Sequence, residues 1–156
     1  MIVARPAVGE RVVMEGGTLT EAEGLSGDNW LTRGSSSTVD GAANPRAQLT
    51  LMSSRVVSAV AGSRDRWPLA GDQVFVDMDL SIENLPAGTQ LSLGEAIVQI
   101  SEVPHSGCAK FSDRFGADAL RFVNVGKGKD LRLRGVNAIV VRGGSFDVGD
   151  KLTKLD

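Results

Sequence analysis

The sequence predicts a mainly β protein, a barrel or sandwich with a few short helical insertions. Three observations carry that prediction. Several short segments alternate apolar and polar residues with a period of two, as half-buried strands do. Nineteen glycines against five prolines supply the tight turns that many short strands need. Helical periodicity is confined to two stretches, too little for a helical or alternating α/β architecture.

Taken in chain order, "ERVVM" (10–14) and "AQLTLM" (47–52) are strand candidates. Between them, residues 24–46 are rich in Gly, Ser and Asn, show no period and are expected to form one long loop. "SSRVVSAVAG" predicts a helix capped by Ser53 or Ser54 and stopped at Gly62. "GDQVFVDMDL" places Val74, Val76, Met78 and Leu80 on one face of a half-buried strand, with Asp77 and Asp79 facing solvent. "GTQLSLGEAIVQISEV" predicts a hairpin: Leu91 and Leu93 alternate into a turn at Gly94-Glu95, and Ala96, Val98 and Ile100 alternate out of it. "CAKFSDRFGADALRFVNVG" predicts two short helices, with Phe111, Phe115, Leu120 and Val123 along an apolar stripe. "NAIVVRGGSFDVGDKLTKL" predicts a strand, a turn at Gly143-Gly144 and a short return. No repeat or linker divides the chain, so residues 1–156 are expected to form a single domain.

Composition narrows the function. With 42% hydrophobic residues the chain can fill a core, which argues against disorder. A net charge of −2 argues against a general nucleic-acid or acidic-membrane surface, since phosphate binding needs a basic footprint. No segment reaches the roughly 18 apolar residues of a membrane span. One cysteine cannot form an intrachain disulfide, and "MIVARPAVGE" is no signal peptide, so a cytoplasmic protein is expected.

The chemistry concentrates in "PHSGCAKFSDRFG" (104–116), which holds the only histidine and the only cysteine, three residues apart, followed by Lys110 and Arg114. A thiol acts as nucleophile or metal ligand only as thiolate, a form that nearby cations favour. Read locally, Cys108 is either such a thiolate or a buried, inert hydrophobe. His105 is either a general base or ligand, or an ordinary turn histidine. Structural zinc takes four Cys/His ligands and the chain offers two, so that site is excluded.

A second basic cluster, Lys127, Lys129, Arg132, Arg134 and Arg142, is interleaved with Gly126, Gly128 and Gly135. It suits phosphate or carboxylate groups, or is simply a solvated strand face. "VGKGK" lacks the P-loop spacing, and no Gly-x-Gly-x-x-Gly follows a strand. Arg33 and Ser35 to Ser37 lie in the long loop as further anion candidates, and Asp28 reads there as a turn residue.

In order along the chain, "GLSGDNW", "AQLTLM", "GDQVFVDMDLSIENLPAGTQLSLGEAIVQI", "PHSGCAKFSDRFGADALRFVN" and "LRLRGVNAIVV…GSFDVGD" together resemble the MOSC family, the molybdenum cofactor sulfurase C-terminal-like domains, in their stand-alone bacterial form. The resemblance covers nearly the whole chain and implies a β-rich, MOSC-type barrel. It implies that Cys108 is the central residue. In relatives that bind molybdenum this cysteine ligates the metal, and in sulfurases it is proposed to receive sulfur as a persulfide. It further implies His105 as a catalytic partner, and Lys110, Arg114, Arg134 and Asn137 as contacts of an anionic molybdenum cofactor. The partners implied are a molybdopterin-type cofactor or a sulfur donor protein. "PHSGC" differs from the Pro-Cys motif of other branches. The chain also lacks the extra N-terminal barrel of the amidoxime-reducing enzymes and the aminotransferase-like domain of the sulfurases. Labels for the family mention pyridoxal phosphate, for which this sequence has no pattern.

Three functions are therefore expected in order: a sulfur carrier or cofactor binder acting through Cys108; a molybdenum-dependent reductase module for N-hydroxylated compounds, served by a redox partner; and a non-catalytic small-molecule-binding barrel with an inert cysteine. The soft thiolate suits sulfane sulfur or molybdenum, which favours the first.

Overall fold

The computed structural model describes residues 1–155 and shows a mainly β architecture. A curled, barrel-like sheet of eight strands is accompanied by a three-stranded sheet and a few short helices. The strands are β1 (Ile2–Ala4), β2 (Val12–Met14), β3 (Gly16–Thr20), β4 (Gly24–Leu25), β5 (Leu49–Ser53), β6 (Val74–Val76), β7 (Gln90–Leu93), β8 (Ala96–Ile100), β9 (Val136–Arg142), β10 (Gly144–Asp147) and β11 (Leu152–Lys154). The helices are α1 (Trp30–Arg33), α2 (Ser54–Ala61), α3 (Ala109–Phe115), α4 (Ala117–Asn124) and α5 (Lys127–Asp130). The large sheet runs β11-β7-β8-β9-β5-β6-β1-β2 and the small one β10-β3-β4. No helix among the described residues is long and apolar enough to cross a membrane.

Every strand pair is antiparallel except β5 and β6, where Leu51 lies opposite Val74. A parallel pair needs a long crossover, and α2 with the 3-10 segment Arg64–Ala70 supplies it. Two cores result. One is apolar packing between the curled sheet and the small sheet, built from Ile2, Leu49, Leu51, Val74, Val98, Ala138 and Phe146 among others. The other lies under the crossover and under α3 and α4, where Val3, Met52, Val57, Trp67, Phe75, Phe111 and Val123 are buried. Alternation along β1 and β6 feeds both: Ile2 and Ala4 enter the first, Val3 the second; Val74 and Val76 the first, Phe75 the second.

The predicted hairpin is present, with β7 and β8 paired Leu93 to Ala96 around Gly94-Glu95. The helix capped at Ser53 and stopped at Gly62 is α2, and the apolar stripe of α3 and α4 packs on the second core, with Phe111 and Val123 buried and Phe115 and Leu120 partly so. Other expectations need correcting. The strand in "GDQVFVDMDL" ends at Val76 and is buried on both faces, because the crossover covers the side expected to be solvated. The 24–46 loop contains β4 and α1. After β9 the chain does not fold back: β10 leaves for the small sheet and pairs with β3. Gly144 permits this exit, since a Cβ there would lie 2.7 Å from the Glu95 carbonyl carbon.

Leu51, wholly buried at the central β5, tests the first core. Leu51→Ala is expected to lower unfolding stability by about 2–5 kcal/mol, read from the midpoint of a urea transition.

Candidate functional site

The crossover from α2 re-enters the sheet through Asp72 and Gln73, consecutive polar residues with no solvent exposure. A buried charge must be paired and hydrogen-bonded to be tolerated, and Asp72 is both. Its Oδ1 lies 2.9 Å from His105 Nε2, and its Oδ2 accepts from Arg134 Nη1 at 2.6 Å. Arg134 Nη2 donates to the Ala70 carbonyl at 2.9 Å, and its guanidinium carbon stands 4.9 Å from the Phe111 ring centroid. Gln73 accepts from the amide and hydroxyl of Thr50 and donates to Asp28 Oδ2. The Asp28 carboxylate also accepts from the Arg5 amide, from Arg5 Nε and Nη2, and from the Trp30 amide. Asp28 is thus a buried anchor rather than a simple turn residue.

Two directions of titration follow. Burial works against the Asp72 carboxylate, but Arg134 and His105 overcome it and hold its pKa below the ordinary value. Burial lowers the His105 pKa, Arg134 adds to that, and Asp72 opposes both incompletely. A neutral imidazole beside an ionised carboxylate donates from Nε2, which leaves Nδ1 as the proton-accepting nitrogen.

His105 and Arg134 form part of the wall of a cleft of about 540 Å³. Cys108, Lys110, Phe111 and Arg114 enter it from α3 and the residue before it, while Arg5, Arg11 and Arg33 enter from the N-terminal third of the chain. Arg5 is neutralised by Asp28 and Arg134 by Asp72. Arg11, Arg33, Lys110 and Arg114 have no salt-bridge partner among the described residues, and Asp113 is the carboxylate that lines the cleft with them. The cations crowd one another: burial and the neighbouring Arg114, Arg5 and Arg33 lower the Arg11 pKa, and burial and Arg5 lower that of Arg33, with Asp28 opposing in both. Such a cluster of cations without carboxylate partners suits an anionic group.

Cys108 is exposed, so it is not the buried hydrophobe that was one of its two readings. Its extended backbone starts α3, and its carbonyl accepts from the Phe111 and Ser112 amides. The preceding Gly107 is clamped by Asn124, whose side chain accepts from the Gly107 amide and donates to its carbonyl. A Cβ at Gly107 would lie 2.6 Å from Leu120 Cδ1, so any larger residue would require the Leu120 side chain to shift.

The structure therefore gathers His105, Cys108, Lys110, Arg114 and Arg134. Asn137 is not among them: its amide donates to the carbonyls of Val103 and Pro104 and holds the loop before His105. Arg33 reaches the cleft, whereas Ser35 to Ser37 do not line it. Asp72, Arg5 and Arg11 escaped sequence reasoning, since each sits alone in a distant segment. Among the described residues no group of three or more His, Cys, Asp or Glu could hold a metal ion. A metal in this cleft would have to bring most of its own ligands, as a metal in a dithiolene-bearing cofactor does, and the exposed thiol beside unpaired cations fits such a group.

Comparison with known proteins places the fold. No protein-family model and no curated protein matches the chain. Solved structures do. YiiM from Escherichia coli is 22% identical, with a TM-score of 0.61 over 99% of this chain and 68% of that one. The YuaD protein from Bacillus subtilis is 15% identical, with a TM-score of 0.64 over 97% of this chain and 91% of that one. A protein described only as hypothetical is 22% identical, with a TM-score of 0.64, and this chain spans 65% of its length. The likeness is one of fold.

The single histidine makes the buried pair testable. Its imidazole should titrate by NMR with a midpoint below the ordinary value of about 6.5, and lower still in Asp72→Asn, which removes the opposing charge. Below that ordinary value the unfolded chain binds a proton that the folded chain refuses, so stability should fall as pH drops from about 6.5 towards the depressed value. His105→Gln should flatten that slope in urea titrations.

Proposed function

We propose that this protein is a MOSC-type molybdenum-cofactor-associated protein that binds the cofactor, or carries sulfur, through the thiolate of Cys108. One observation carries the reading: the chain's only thiol is exposed in a cleft whose unpaired arginines and lysine suit an anionic group. The family resemblance of the sequence and the fold shared with YiiM and YuaD, themselves MOSC-domain proteins, support it.

In this reading Arg11, Arg33, Lys110 and Arg114 hold the anionic end of a molybdopterin-type ligand through charge-assisted hydrogen bonds. Arg134 is already committed to Asp72 and Ala70, so it positions His105 rather than gripping the ligand. His105, held by Asp72 at Nε2, accepts a proton at Nδ1 and leaves the soft thiolate free. A bound molybdenum cofactor would supply redox chemistry that no side chain here supplies. In the sulfur-carrying form, the thiolate attacks the terminal sulfur of a donor protein's persulfide. The new S–S bond forms on Cys108 as the donor cysteine leaves as thiolate.

Protein purified from a cofactor-competent host should carry bound molybdenum by elemental analysis, or one added sulfur on Cys108 by intact mass. Cys108→Ala should lose either while keeping its fold. Wild-type protein with neither, or a variant loaded equally, overturns the reading. Arg11→Gln and Arg114→Gln should each weaken cofactor retention by roughly tenfold to a hundredfold, since a hydrogen bond to a charged group contributes about 1.5–3 kcal/mol.

A further inference from the structure

A second cavity, of about 360 Å³, shares His105 and Arg134 with the first. Cys108 does not line it. Its walls are apolar where Ile82, Val103, Pro104, Val123 and Val136 meet it. Most of its polar groups are already used. Asn124 is spent on Gly107, Asn137 on the Val103 and Pro104 carbonyls, Ser101 on the Val103 amide, and the one carboxylate, Glu102, on Arg46. Among the described residues the Asn137 Oδ1 accepts no hydrogen bond, and two cations lack a carboxylate partner. Lys129 and Arg132 line the cavity, and neither has a salt-bridge partner among the described residues. Arg132 is half-buried and burial lowers its pKa. It is also the only described non-glycine residue with positive φ, at 49°, and its Nη1 is tied to the Leu85 carbonyl. Backbone held in that region costs energy and tends to mark functional sites.

We propose that this cavity is a separate binding site for a small carboxylate with an apolar body of one or two rings, its carboxylate held by Arg132 and Lys129. The volume is at the small end of the roughly 300–1,000 Å³ of ligand pockets. An apolar slot with cations at its polar end selects against neutral analogues, because the carboxylate is what satisfies the free donors. The site rests on nothing that Cys108 holds, so it stands or falls independently of the cofactor reading.

The test is a two-dimensional amide NMR titration with benzoate and 2-naphthoate, with the matching amides benzamide and 2-naphthamide as controls. Saturable shifts centred on Val103, Val123 and Val136 are expected, with at least tenfold weaker binding of the amides. Arg132→Gln should weaken 2-naphthoate binding at least tenfold, and Lys129→Gln, an exposed change that leaves the strained backbone alone, at least threefold. Cys108→Ala should bind as the wild type does. No saturation, amides binding as tightly as the acids, shifts centred on Cys108 and Arg114, or unchanged binding in Lys129→Gln each overturn the proposal.

Discussion

One buried carboxylate organises this molecule. Asp72 sits at the end of the crossover between the parallel strands β5 and β6, without solvent, and its two oxygens reach a histidine from one loop and an arginine from another. An unpaired charge there would be costly, so the geometry of His105 and Arg134 is dictated by the need to satisfy it. The neighbouring Gln73 does the same for the opposite side, tying Thr50 in the sheet to Asp28 and through it to Arg5. Two consecutive residues thereby pin both banks of the cleft. Removing either would leave a partner's charge or amide buried and unmatched.

The sheet's curl has a corresponding division of labour. Its first apolar core uses the small sheet as a lid and carries none of the candidate chemistry. The second core, under the crossover and the helices, supports Phe111 beneath Arg134 and carries α3 with its thiol. The positive cleft is therefore built over the helical face of a net acidic protein. Net charge, the basis for expecting no general nucleic-acid footprint, carries no information about a local field, which depends on where arginines meet.

Legibility in the sequence followed the range of the interactions involved. The β7–β8 hairpin was readable because both its alternation and its turn are local, and α2 because its boundaries are. The destination of β10 was not readable: residues 144–147 alternate equally well for any partner, and the choice is made by close backbone packing at Gly144. β1 is only three residues long, too short to show a period. In the site, residues 105–114 stood out because rare side chains are contiguous there. Arg5, Arg11 and Asp72 carry meaning only through contacts with segments far along the chain. Asn137 shows the converse, a polar residue near that region whose amide nitrogen is taken up by the backbone of a loop.

The cleft's lining runs from Arg5 to Arg134. No shorter stretch of the chain contains it, and its opposite banks meet only through long-range pairing, the slowest kind of contact to close. During synthesis the thiol therefore emerges well before Arg134, and for that interval it has neither the buried Asp72 pair behind it nor the assembled arginines around it. A ligand that needs the whole cleft can be taken up only after folding, and a fragment ending between Cys108 and Arg134 would present the cysteine without the complete lining.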